Sequence, residues 1–274
     1  MRVLVLVLVL LSAPWLDASR LSQRENIQRA ATCGVAPTIT GPTIAPDTIS
    51  APWMLNLRAS YFGVAGVLIS RRHAITHQLG ALKDWKWVDY NGRAVDAKSQ
   101  CKNGVMEMPS AIGHIGYLKG LTEAPIRSVT YLGRCDTADP YGILIVEFAE
   151  DVDLTPICLP DPREMHQTNL GVRDGHRLFI HHKDGLFQMV RRTMVTVRDC
   201  GYPIDESEEV CTTGGTIYQM YGAPVTRTDD VAGHAKLYGV TQTRWPDKPQ
   251  NEIRHFHLGH FSDRICQITG VCAI

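Results

Sequence analysis

Eleven histidines, eight cysteines and a scatter of threonines and acids are the side chains of this chain that can do chemistry. Acyl transfer needs a hydroxyl nucleophile, an imidazole to take its proton and a carboxylate to orient the imidazole. His77, Asp139 and one of Thr212, Thr213 and Thr216 could supply such a set, which would make an active endopeptidase. No serine lies between Ser207 and Ser262. Tyr221, a bulky phenol with no base beside it, is a poor acyl acceptor. His77 itself reads as a surface or loop histidine. His255, His257 and His260 form H-x-H-x-x-H. Alternate strand positions and a helix start do not converge on zinc without a further ligand, so these read as polar surface histidines. No metal and no cofactor is expected. His181 and His182 alternate across a strand and cannot chelate together. Trp85 and Trp87 share a strand face and read as core packing, and the pairs Arg71-Arg72 and Arg191-Arg192 as solvated residues.

The elements that must position these side chains read as almost entirely β. Strand-like runs include WMLNLRA, GVAGVLIS, HAIT, WKWVDY, RAVDAK, IRSVTYL, ILIVEF, HRLFIHH, LFQMVRRTMVTV, APVTRT and KLYGVTQT, separated by Gly, Pro, Asn and Asp. Asn91-Gly92 signals a two-residue hairpin. Ser22 and Glu25 stand in capping-box spacing, so a short helix ends before Cys33. Prolines 37, 42, 46 and 52 keep residues 35 to 52 extended. FHLGHFSDRICQI is the one clear later helix. Many short strands with one terminal helix imply a barrel or sandwich.

Lysine plus arginine and aspartate plus glutamate both number 28, so neither nucleic acid nor an anionic membrane is an expected partner. Residues 1–18 read as a secretory signal peptide: Arg2, an apolar run from Val3 to Leu11 too short to span a bilayer, then small residues near Ala18. The expected location is therefore secreted and extracellular, with no membrane anchor. Eight cysteines suit that compartment, and no N-x-S/T sequon is present.

APWMLNL, GVLISRRHAIT, YGILIVEFAEDVDLTPICLP, EEVCTTGG and GAPV followed by KLYGVTQ occur in this order. Together they resemble the strands and turns of the chymotrypsin/trypsin-like serine proteases over nearly all of residues 33 to 274. LSQRENIQRAATCG and ICQITGVC resemble a divergent nematode branch of that family. The resemblance implies an all-β fold of two six-stranded antiparallel β-barrels with a short C-terminal α-helix. An N-terminal segment of 19–38 is tethered by a disulfide to a homology domain of 39–274. The first barrel then covers about 39–148, the second about 160–258 and the terminal helix about 258–268.

The same resemblance assigns the three catalytic positions. The histidine of T-A-A-H-C falls on Leu79, the aspartate before I-A-L-L on Gly142, and the serine of G-D-S-G-G-P on Tyr221. Asp139 lies three residues before Gly142, roughly 10 Å of extended chain away. Met220 and Gln219 replace the residues just before the serine, which removes the activation ion pair and disturbs the oxyanion turn. Ile39-Thr40-Gly41-Pro42 holds the place of the activated N-terminus, yet no Lys or Arg occurs between Arg29 and Arg58. The resemblance thus implies a catalytically inactive homologue, a pseudoprotease. Its expected role is regulatory binding of a protein partner, such as an active protease, an inhibitor or a protease substrate. Tyr218 and Tyr221, with Met220, would line or fill the old cleft. Two family bridges vanish as whole pairs, with Val64, Gly80 and Ile217 at cysteine positions. The resemblance pairs Cys33–Cys158 and Cys200–Cys211. Sequence proximity pairs Cys101–Cys135 and Cys266–Cys272.

Overall fold

The computed structural model describes residues 20–36, 48–49, 51–59, 63–84, 86–89, 91–108, 112–117, 124–135, 137, 141–161, 177–183, 190–198, 209–214, 221–228, 233–243 and 252–273. The expected signal peptide (1–18), Asp139, Trp85, Cys200, Thr216 and residues 217–220 lie outside them. The first half contains α1 (Gln23–Thr32), β1 (Thr48–Ile49), β2 (Met54–Ala59), β3 (Gly63–Leu68), β4 (His73–His77), β5 (Leu82–Lys83) and β6 (Lys86–Trp87). It continues through α2 (Ala97–Gln100), β7 (Val105–Met108), β8 (Ile112–Tyr117), β9 (Ile126–Arg134) and β10 (Tyr141–Phe148). The second half contains β11 (Arg177–Lys183), β12 (Val190–Arg198), β13 (Glu209–Thr213), β14 (Pro224–Thr228), β15 (Ala235–Thr243), β16 (Glu252–His257) and α3 (Leu258–Thr269).

Two antiparallel sheets carry the fold. The second has the order β1-β12-β11-β14-β15-β16-β13, and a further β12–β13 ladder closes six of its strands into a barrel. The first has the order β7-β9-β10-β4-β3-β2-β8. It curls until β8 lies beside β9, with no ladder between them among the described residues. β4 and β10 are buried at every position, which suits their apolar runs at the centre of a curled sheet. Thr48–Ile49, within the range expected for the first barrel, pairs instead with Val190–Arg191 of the second sheet.

RAVDAK departs from its strand-like reading. Only Ala94 bridges, to Val88, and Ala97–Gln100 turn helically. The tight turn is held by Asp89, whose carboxylate accepts from Arg93 N at 2.8 Å, and by Gly92 at φ +76°. Ala, Lys and Gln after Asp96 are good helix formers, so the ladder stops. Strands β7, β8, β13 and β16 have too little alternation to stand out in the sequence.

The N-terminal helix is built into the fold. Ser22 Oγ accepts from Glu25 N, and the Glu25 carboxylate accepts from Ser22 N at 2.7 Å, as the capping-box spacing predicts. Glu25 also pairs with Arg72 at 2.8 Å, and the Ser22 bonds hold its carboxyl below the usual range. Buried Asn26 and Arg29 both donate to the Cys272 carbonyl, at 3.1 and 3.0 Å. Disulfides join Cys33–Cys158, Cys101–Cys135 and Cys266–Cys272. Cys211 is also bridged, but its expected partner, Cys200, lies outside the described residues. No helix among the described residues is long and apolar enough to cross a membrane. Ser22→Ala removes one half of the cap and is expected to cost about 1 kcal/mol, read as a lower urea midpoint with an unchanged slope.

Candidate functional site

The junction between the two sheets is built from a hairpin, a short turn and one tight loop. In the SRRH turn, Ser70 Oγ accepts from the N–H groups of Arg72 and His73, at 3.1 and 3.0 Å, and meets His73 Nδ1 at 2.9 Å. This delivers β4, whose last residue is His77. A 3-10 turn, Gln78–Ala81, follows directly and is capped by the His77 side chain. Leu79 sits half-buried in that turn. From the second half, Tyr221 O accepts from Ala65 N at 2.8 Å, and Gly222 N donates to Thr241 O at 2.9 Å. Gly222 has φ +86°, and a Cβ there would run into the Ala65 carbonyl. Only glycine allows the loop to approach β3 so closely.

His77 lies at the centre of this junction and is 3 % exposed, so the surface or loop reading is wrong. Its ring packs 5.1 Å from Tyr221 and 5.2 Å from Phe256, and Tyr141 meets Phe256 edge-on at 4.7 Å. Its Nδ1 accepts from Leu79 N at 2.9 Å, so the neutral ring carries its proton on Nε2. Nε2 is buried and makes no hydrogen bond of standard geometry. Burial pushes the ring down to about 3, against a smaller opposing pull from the Gln242 main chain. A general base needs a lone pair aimed at the proton it removes. The one lone pair of His77 is already occupied by a main-chain N–H.

Gly142 lies on β10, one residue before Ile143, the register partner of His77. It faces Gly133 of β9, and a Cβ here would collide with the Leu132 carbonyl and the Tyr131 phenol. Tyr131 is fully buried, edge-on to Trp87 at 4.6 Å, with its hydroxyl 3.4 Å from Gln78 Oε1. The space where a side chain at position 142 would begin is therefore filled by a phenol from the neighbouring strand. Tyr131, Phe256 and Gln78 complete the junction although no sequence motif marks them. Their proximity comes from strand pairings between segments far apart in the chain.

The other candidate residues do not converge. Thr212 and Thr241 bracket His255: Nε2 meets Thr212 Oγ1 at 2.9 Å and Nδ1 meets Thr241 Oγ1 at 3.3 Å. Burial pushes His255 down to about 3. His255 and His257 are thus core residues, contrary to the surface reading, because β16 is covered on both faces. His260 is exposed and packs edge-on to Phe261 at 5.0 Å. Among the described residues no group of three His, Cys, Asp or Glu is placed to hold a metal ion. Trp87 is a core residue. Arg71 and Arg72 are ion-paired to Asp153 and Asp151, at 3.0 and 2.8 Å.

Among solved structures, an inactivated protease paralogue of the scabies mite, S-I1, superposes with a TM-score of 0.54 at 17% identity. The match covers 79% of this chain and 94% of the mite protein. The fold is therefore trypsin-like. No curated protein sequence matches the chain. The model of the nematode trypsin-6-like family matches residues 3–272. With the match running almost end to end, the chain belongs to the nematode trypsin-6-like family.

Proposed function

We propose that this protein is a secreted, catalytically inactive serine protease homologue that acts by binding another protein, as a regulator. The observation that carries this reading is the state of the three positions assigned to the catalytic groups. Leu79 and Gly142 have no proton-transfer chemistry, and Tyr221 packs against a histidine whose lone pair is already used. The printed description of the mite structure as an inactivated protease paralogue points the same way. His77, Tyr221 and Phe256 pack against one another at this junction, so this reading places recognition on the surface around it. Secretion is supported by the apolar run at Val3–Leu11 and by the disulfides.

A fluorophosphonate probe tests the lack of catalysis. The purified protein is expected to take up no label under conditions that fully label an active serine protease. A stoichiometric adduct on any hydroxyl would overturn the reading and favour a set built from a relocated nucleophile.

A further inference from the structure

The face that α1 turns to the fold is polar. The buried residues of this helix are Asn26 and Arg29, while Ile27, its one large apolar side chain, is 53% exposed. Burial of apolar area, the main force that holds a helix on a fold, therefore contributes little. A free helix of 10 residues is itself marginal in water.

Polar contacts with the tail hold the helix instead. Asn26 Nδ2 donates to the Cys272 carbonyl at 3.1 Å, and Asn26 Oδ1 accepts from the Cys272 amide at 3.3 Å. Arg29 Nη2 donates to the same carbonyl at 3.0 Å, and its Nε donates to Asn26 Oδ1 at 2.9 Å. Leu21 N donates to Thr269 O at 2.8 Å. Among the described residues the Arg29 guanidinium thus meets only neutral acceptors, and its Nη1 is buried without a hydrogen bond. Burial pushes this group down to about 10. A buried charge without a countercharge opposes docking. The partly exposed Glu25–Arg72 pair adds little against that cost.

The chain just beyond the helix is fixed far more firmly. Cys33 is bridged to Cys158, Gly34 N donates to Pro156 O at 2.8 Å, and Gly34 O accepts from Ala235 N at 2.9 Å. Gly34 has φ +71°, and a Cβ there would run into the Ala235 main chain.

We propose that α1 is a tethered latch, which undocks from the tail as a unit and pivots on the Cys33–Cys158 anchor while both sheets stay folded. Undocking returns Arg29 to water. It also uncovers the Cys272 main chain in the loop closed by the Cys266–Cys272 bridge. Local opening of this kind draws on the segments with the fewest buried apolar contacts.

Hydrogen exchange read by mass spectrometry on the disulfide-intact full chain tests this. The α1 amides are expected to exchange at least tenfold faster than those of β4 and β10, with the Cys272 amide opening in step with them. Arg29→Met keeps most of the side-chain volume and removes the charge, so it is expected to slow α1 exchange severalfold. Asn26→Ala is expected to speed it by a similar factor. Exchange in α1 as slow as in β4 and β10, or faster exchange in Arg29→Met, would overturn the proposal. Fast α1 exchange beside a protected Cys272 amide would also overturn it, because the helix would then fray in place without leaving the tail.

Discussion

Gly142→Asp is expected to destabilise the protein by about 4 kcal/mol or more. The reason is local geometry. Any Cβ at position 142 meets the Leu132 carbonyl and the Tyr131 phenol, and overpacking a buried site alone costs about 1–3 kcal/mol. The carboxylate adds the cost of burying a charge, commonly about 3–5 kcal/mol when it is not compensated. Gly142→Ala should therefore show a large part of the loss, since the main-chain collision begins at Cβ. Leu79→His and Tyr221→Ser, at half-buried positions, should each cost less than Gly142→Asp. Urea unfolding of the four single variants checks the ranking. A Gly142→Asp protein with an unshifted midpoint would show that the Tyr131 phenol does not occupy this space. The triple variant is expected to stay unlabelled by fluorophosphonate even where a folded fraction survives.

Acidification from pH 7.5 to 5.5 is expected to remove about 4 kcal/mol of stability. Burial pushes His73 down to about 4 and His77 and His255 to about 3. The unfolded chain takes up protons on these rings near 6.5, whereas the folded chain does not. The unfolded state therefore binds more protons throughout the window from about 6.5 down to 3–4, and stability falls with pH across it. Each ring loses about 1.4 kcal/mol between pH 7.5 and 5.5, an interval centred on its unfolded value, so three rings lose about 4 kcal/mol. The His77 ring faces Tyr221 and Phe256, and His255 faces Thr212 and Thr241, with no carboxylate hydrogen-bonded to either among the described residues. Among the described residues His73 has two charged neighbours, Arg72 and Asp151, whose effects oppose each other. Guanidinium titrations at the two pH values check the slope. His255→Gln should reduce the pH dependence by about a third, although it also lowers stability at pH 7.5. A flat profile between pH 7.5 and 5.5 would mean that these rings are solvated.

Residues that act through local or ordered signals were legible in the chain itself. The Ser22–Glu25 box, the apolar runs within β4 and β10 and the order of APWMLNL, GVLISRRHAIT and TPICLP lead to the helix, the central strands and the trypsin-like frame. The types at positions 79, 142 and 221 are equally a property of the chain, since Leu and Gly have no acid–base chemistry in any fold.

What the chain alone left undecided is where its polar side chains come to rest. His77 and His255 look like surface residues because histidine is polar and ionisable and each has polar residues beside it in the chain, Thr76 and Gln78 or Arg254. His77 is buried where the two sheets meet, against Tyr221 and Phe256, and His255 within the second sheet, between Thr212 of β13 and Thr241 of β15. Tyr131 and Gly142 lie on adjacent strands, and the two-residue offset that lays the phenol over the missing side chain follows from β-register. Burial and register depend on long-range contacts, so tertiary structure decided that His77 is buried with its lone pair used by Leu79 N and that no Cβ fits at position 142.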